Sequence, residues 1–111
     1  PLDTTDGVFF ISADGDAGLD FLVEKDNSAT TTEDVATMAD DTFITVTWFI
    51  DPDTSKVYYS VNNAEPVAVA NTNLPDDEEL TVSFGIQNGE ASAQTMTIDY
   101  VVSKMVRESQ Y

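Results

Sequence analysis

The segment Phe43-Ile44-Thr45-Val46-Thr47-Trp48-Phe49-Ile50 constrains this chain more than any other. It is a run of β-branched and aromatic residues without a single charge. Side chains of a strand alternate between its two faces. Ile44, Val46, Trp48 and Ile50 therefore share one face, which the alternation marks as a core face. Phe43, Thr45, Thr47 and Phe49 share the other. No stretch of the sequence carries a convincing 3.6-residue apolar repeat, so little or no helix is expected. A single turn near Asp76 to Glu79 is the one place where helix is considered.

The remaining apolar runs have the same character and are separated by Gly, Asn, Asp and Pro. Val8 to Ser12 reads as a strand and Asp14-Gly15-Asp16 as the turn after it. Leu19 to Lys25 alternates Leu19, Phe21 and Val23 against Asp20, Leu22 and Glu24. The polar stretch Asp26 to Glu33 reads as a surface loop, and Val35 to Met38 as a short strand. Asp51-Pro52-Asp53-Thr54 has the proline of a tight turn. It leads into Lys56 to Val61, with Val57, Tyr59 and Val61 on one face. Asn62 to Glu65 reads as a hairpin loop returning through Pro66 to Ala70. Leu80 to Ile86 and Met96 to Val102 alternate as two closing strands, joined around Asn88-Gly89-Glu90. Seven or eight short strands, each with one polar face, predict an all-β fold: antiparallel sheets packed face to face as a two-sheet β-sandwich. The 111 residues suit a single domain spanning residues 1–111. Pro1 in place of an initiator Met suggests a processed chain or the C-terminal part of a longer one.

Charge and missing residue types remove whole classes of function. Four Lys and Arg stand against 21 Asp and Glu, a formal net charge of −17, and the chain has no His and no Cys. Nucleic acid is not an expected partner, because phosphate contacts need Lys and Arg. Anionic membranes are excluded for the same reason, and no apolar run reaches the roughly 20 residues of a membrane-spanning helix. Without His or Cys there is no Ser-His-Asp triad, thiol nucleophile or thiolate metal site. The acids repel one another at low ionic strength, and salt screens that repulsion. Such a chain suits a salty or calcium-rich medium, or a partner with a basic face.

Three segments together resemble a known architecture. Thr42 to Ile50, Lys56-Val57-Tyr58-Tyr59-Ser60-Val61-Asn62-Asn63 and Val67-Ala68 resemble the central part of concanavalin A-like (laminin-G-like) jelly rolls. Met96-Thr97-Ile98-Asp99-Tyr100-Val101 resembles their final strand. Leu74 to Thr81, Phe84 to Ala91, Asp6 to Phe10 and Val23 to Asp26 look like segments of virion structural proteins of tailed bacteriophages. The resemblance spans Asp6 to Arg107 and consists of strand and turn patterns. The chain is shorter than a full concanavalin A-like jelly roll, so it reads as a compact version or as half of a longer protein. The resemblance implies a capsid decoration (cement) protein on the capsid exterior of a virion. Its partner would be the major capsid protein, with the chain itself a homo-oligomer on the shell.

The candidate chemistry is limited. Laminarinase-type enzymes share the jelly-roll fold, but their acids project from one strand as Glu-x-Asp-x-x-Glu, a pattern absent here. Asp99 stands alone on its strand, and Asp20 and Glu24 lie four residues apart. The chain is therefore read as not an enzyme. Asp14 and Asp16 place two carboxylates on one turn and are the candidate calcium ligands, calcium being the one cofactor considered. Phe49 and Tyr58 fall opposite the core faces and are candidate contacts for a partner protein or a glycan, the alternative function being a carbohydrate-binding, lectin-like module. Lys104, Arg107 and Tyr111 form a tail that carries two of the four basic residues, a further candidate contact.

Overall fold

The computed structural model describes residues 5–13, 15–51, 53–75 and 95–103. Among them there is no helix and there are six strands, arranged as two antiparallel three-stranded sheets. The first sheet holds β1 (Gly7–Ile11), β2 (Gly18–Lys25) and β3 (Ser28–Thr37), in that order. The second holds β4 (Val46–Ile50), β5 (Val57–Val61) and β6 (Val67–Val69), also in order. The protein is thus all-β, a small two-sheet β-sandwich. Every connection within a sheet joins sequence neighbours. The strand expected at Leu80 to Ile86, the turn at Asn88 to Glu90 and the helical turn at Asp76 to Glu79 lie outside the described residues.

The hairpins form because Asn and Asp accept the left-handed backbone that tight turns require. Asp26 (φ 50°) and Asn27 (φ 63°) alone join β2 to β3, with Lys25 opposite Ser28. Their tip is tied to the start of β1, since the Asn27 N–H donates to the Thr5 carbonyl (3.0 Å) and the Asp26 N–H to Asp6 Oδ1 (3.0 Å). Asn62 (φ 52°) and Asn63 (φ 60°) turn β5 towards β6. Asn62 also holds the start of β4, donating its N–H to the Thr45 carbonyl (2.7 Å) and accepting the Thr45 N–H on Oδ1 (3.0 Å).

One expectation is corrected in this half of the chain, and a second point goes beyond the sequence reading. Asp26 to Glu33 is not a surface loop, because Ser28 onward forms the ten-residue β3. Three consecutive threonines, Thr30 to Thr32, have the branched Cβ that suits a strand, and β2 offers a full ladder to pair with. Polarity marked exposure there, not irregularity: among the described residues β3 is an edge strand, with alternate residues facing solvent. The second point is a register shift between Leu19 and Phe21, where Leu19 faces Ala36 and Phe21 faces Thr32. The additional β3 residues bulge outward, with Asp34 at φ 54°. A bulge leaves a ladder N–H without a carbonyl. Asp20 supplies the acceptor, its Oδ1 lying 2.9 Å from the Asp34 N.

The core sits between β2 and β5. Phe21, Val23 and Val57 are fully buried, with Leu19 and Ser60 nearly so. Val8, Phe10, Val35, Tyr59, Val69 and Leu74 pack around them. Phe21 is the hinge of this arrangement. Its ring meets Phe10 of its own sheet at 4.9 Å and Tyr59 of the facing sheet at 5.3 Å, both tilted. The inward set on β2 is the one the alternation selects. On β4 the selection is only half realised. Val46, Trp48 and Ile50 lie opposite Val61, Tyr59 and Val57, so they share the inward face, yet each is 37% exposed. The described strands of the first sheet cover β5 and leave β4 overhanging. Among the described residues, 95–103 join no ladder, and Met96, Ile98, Tyr100, Val101 and Val102 are exposed; the strand expected beside them, Leu80 to Ile86, lies outside the described residues.

Truncating the central ring tests this account. Phe21→Ala removes a fully buried side chain that bridges both sheets and should cost about 3–5 kcal/mol. Phe43→Ala, at a position 66% exposed, should stay within about 0.5 kcal/mol. Urea denaturation of the two variants checks the contrast, and equal midpoints would contradict the core described here.

Candidate functional site

The outward face of the second sheet carries the most developed surface feature. The Thr45–Asn62 and Asp51–Lys56 hydrogen bonds set the ladder's phase. Antiparallel pairs alternate between bonded and non-bonded, so Phe49 and Tyr58 form a directly opposed bonded pair. Their rings are stacked, with centroids 5.1 Å apart and planes 13° from parallel. Phe49 is 42% exposed and Tyr58 half-buried. Ala68 lies opposite Tyr58 on the other side and keeps the approach to the ring shallow. These are the two aromatic residues that the sequence reading singled out as candidate contacts, and the structure brings them together.

Next to this pair lies the loop from Asp51 to Lys56. The Asp51 carboxylate accepts the Asp53 N–H on Oδ1 (2.9 Å), and the Asp51 backbone carbonyl accepts the Ser55 N–H (2.7 Å). Ser55 takes up the left-handed conformation at φ 58° that closes the loop. Hydrogen bonds from the Asp53 backbone and the Thr54 side chain, with Lys56 nearby, hold the Asp51 carboxyl below the usual Asp range. The turn expected at Asp51 to Thr54 is therefore built on a carboxylate acceptor.

The acidic turn expected to hold calcium is only partly described. Asp14 lies outside the described residues. Asp16 follows Gly15, whose φ of 75° is left-handed, and its N–H donates to the Ala13 carbonyl (3.1 Å). Asp16 Oδ1 accepts the Gly18 N–H at 2.8 Å. The lack of a side chain at Gly18 lets the Asp34 carboxylate approach from the other side; a Cβ there would collide with Asp34 Oδ1. Among the described residues no three acidic side chains are arranged to hold a metal ion. Asp16 thus acts as a backbone acceptor, and the arrangement neither adds to nor removes the calcium expectation. Lys104, Arg107 and Tyr111 lie outside the described residues.

Sequence reasoning passed over a second surface. Val46, Trp48 and Ile50 were assigned to the core, and their partial exposure adds an uncharged inward strip to the outward Phe49.

No protein-family model, curated protein or solved structure matches this chain. The functional reading consequently rests on the chain's own residues and on the strand and turn patterns described above.

The Asp51 loop yields a direct test. A carboxyl held below its unfolded value stabilises the fold at pH above that unfolded value. The contribution is lost as pH falls through the lower folded value. Titration of the Asp51 side-chain carbonyl by NMR should give a midpoint below the usual value of about 3.9. The Thr54→Ala variant should move that midpoint upward.

Proposed function

We propose that this protein is a non-enzymatic virion structural protein, a decoration or cement protein of a tailed bacteriophage that stabilises the shell from the capsid exterior. The observation that carries the reading is the stacked Phe49–Tyr58 pair on the solvent side of the second sheet, in a chain of net charge −17. An acidic surface favours orientation and fast encounter with a basic partner face, while uncharged aromatic anchors supply most of the holding energy. The strand and turn resemblance supplies the viral context and names the major capsid protein as the partner. Lys104, Arg107 and Tyr111 would add a basic tail to the contact. Homo-oligomers on the shell would multiply weak contacts by avidity.

A second reading is favoured by the same pair. The two stacked, nearly parallel rings leave apolar aromatic surface exposed at Phe49, and an exposed aromatic ring is a group on which the C–H face of a sugar can rest. A carbohydrate-binding, lectin-like module, alone or as a weak glycan contact of the decoration protein, is that reading, with calcium as a possible cofactor at Asp14 and Asp16.

Purified virions from the source test the main reading by quantitative mass spectrometry, which should find a copy number comparable to the major capsid protein. Its absence from particles would remove the reading. On isolated shells, the Phe49→Ala, Tyr58→Ala double variant should bind about thirtyfold more weakly, the equivalent of 2 kcal/mol. The wild-type association rate should fall as salt rises. Retained shell binding by the double variant would exclude this face as the contact. Loss of binding to an immobilised glycan, with shell binding unchanged, would favour the lectin reading.

A further inference from the structure

We infer that the Asp51–Pro52 peptide bond is a self-cleavage site, cut in acid by the Asp51 side-chain carboxylate while the Ser55 N–H stabilises the scissile carbonyl oxygen. The chain has one Asp–Pro bond, and it lies in the loop between β4 and β5. A carboxylate is a weak nucleophile in water. Here it belongs to the residue whose own backbone carbonyl it attacks, so the reaction is intramolecular. Proline supplies the favourable leaving nitrogen. It is a tertiary amide nitrogen without an N–H, and it takes up a proton more readily than an ordinary peptide nitrogen. Pro52 lies outside the described residues and enters through this covalent chemistry alone.

The loop holds the reacting carbonyl in place. The Asp51 carbonyl oxygen accepts the Ser55 N–H at 2.7 Å, and the Asp51 N–H donates to the Lys56 carbonyl at 2.8 Å. The donor residue is itself tied down from beyond β6, since Asn71 Nδ2 donates to the Ser55 carbonyl at 3.0 Å. A donor fixed in advance on a carbonyl oxygen stabilises the negative charge that develops there on attack. On the carboxylate, Oδ1 accepts the Asp53 N–H at 2.9 Å. Together with the Thr54 hydroxyl and Lys56, that bond favours the ionised, nucleophilic form. The charged groups of the loop are Asp53 and Lys56, and Asn71, which reaches it from outside, is uncharged.

The reaction consumes only water. A carboxylate oxygen of Asp51 bonds to the backbone carbonyl carbon of the same residue, closing a cyclic anhydride, and the C–N bond to Pro52 breaks. The nitrogen keeps that electron pair and takes a proton from the acidic solvent. Water then opens the anhydride. Asp51 is left as a new C-terminus with two carboxyl groups, and Pro52 as a new N-terminus. The fragments, residues 1–51 and 52–111, stay associated, because β4 and β5 remain paired from Val46 opposite Val61 to Ile50 opposite Val57. The product is a nicked sandwich, opened at the tip of one hairpin.

This inference is independent of the proposed virion role. The full chain is incubated at the lowest pH at which its circular dichroism spectrum is still native, and the two fragments are measured by mass spectrometry under denaturing conditions. They should accumulate about tenfold faster than from the same chain in concentrated urea at equal pH, less than the roughly hundredfold that one oxyanion donor supplies in a closed active site. That comparison uses the wild type alone and does not depend on the folding of any variant. Asp51→Asn, which lacks the anionic nucleophile, should yield no fragments. Asn71→Ala frees Ser55 without touching the carboxylate. It should slow cleavage about threefold and leave the NMR midpoint of Asp51 unchanged, as a positioning residue would. Equal rates in the folded and the urea-unfolded chain would overturn the inference, as would cutting of Asp51→Asn at the wild-type rate. An unchanged rate in Asn71→Ala would overturn the part assigned to Ser55.

Discussion

The contact between Phe21 and Tyr59 is the one on which the rest of this structure depends. Each described sheet has only three strands, and neither can bury an apolar face alone. Phe21 lies at the middle of β2, the central strand of its sheet, and Tyr59 at the middle of β5, the central strand of the other. Their rings, with Phe10 behind, fix the facing of the two layers, and Val23 and Val57 fill the space beside them. What lies over this column is buried. What lies beyond it, above all β4, is left half-exposed. The same packing that makes the sandwich thereby leaves apolar side chains in contact with solvent: Phe49 and Tyr58 outward, Val46, Trp48 and Ile50 along the overhang.

The acid excess has a second role besides repulsion. Among the described residues, four carboxylates accept backbone N–H groups at places where the regular ladder cannot: Asp6 at the β2–β3 tip, Asp16 before β2, Asp20 at the bulge and Asp51 in the β4–β5 loop. A charged acceptor makes a stronger bond than a neutral one. Asp and Asn also take up most of the left-handed positions, at Asp26, Asn27, Asp34, Asp41, Asn62 and Asn63, without recourse to glycine. Much of the acidity is therefore turn chemistry.

Legibility differed from element to element for physical reasons. The inward set on β2 could be read because Leu19, Phe21 and Val23 alternate with a set that holds two acids, Asp20 and Glu24, and period two is a strong signal. The Asn62-Asn63 hairpin could be read because two adjacent asparagines match a turn that needs two left-handed residues. The Phe49–Tyr58 pair was legible as two outward residues but not as a stack, because cross-strand register depends on the Asp51–Lys56 loop length. The Ser28 to Glu33 part of β3 was misread as a loop because threonine polarity was weighed above its branched Cβ, whereas the end of β3 was read as a strand from Val35. The exposure of Trp48 could not be read at all, since alternation names a face without saying how far the opposing layer extends.

The sequence by itself determined that this chain is all-β, that it has no nucleophile or base of the common His and Cys kinds, and where most turns fall. Those properties follow from local backbone preference and from composition, which need no knowledge of distant contacts. The tertiary structure decided which apolar faces are covered. Burial depends on the width and register of the facing sheet, and these are properties of residues far apart in the chain. The bulge at Asp20 and the overhang of β4 belong to that second class. So does the meeting of two aromatic rings from neighbouring strands, which alone turns a pair of outward residues into a surface.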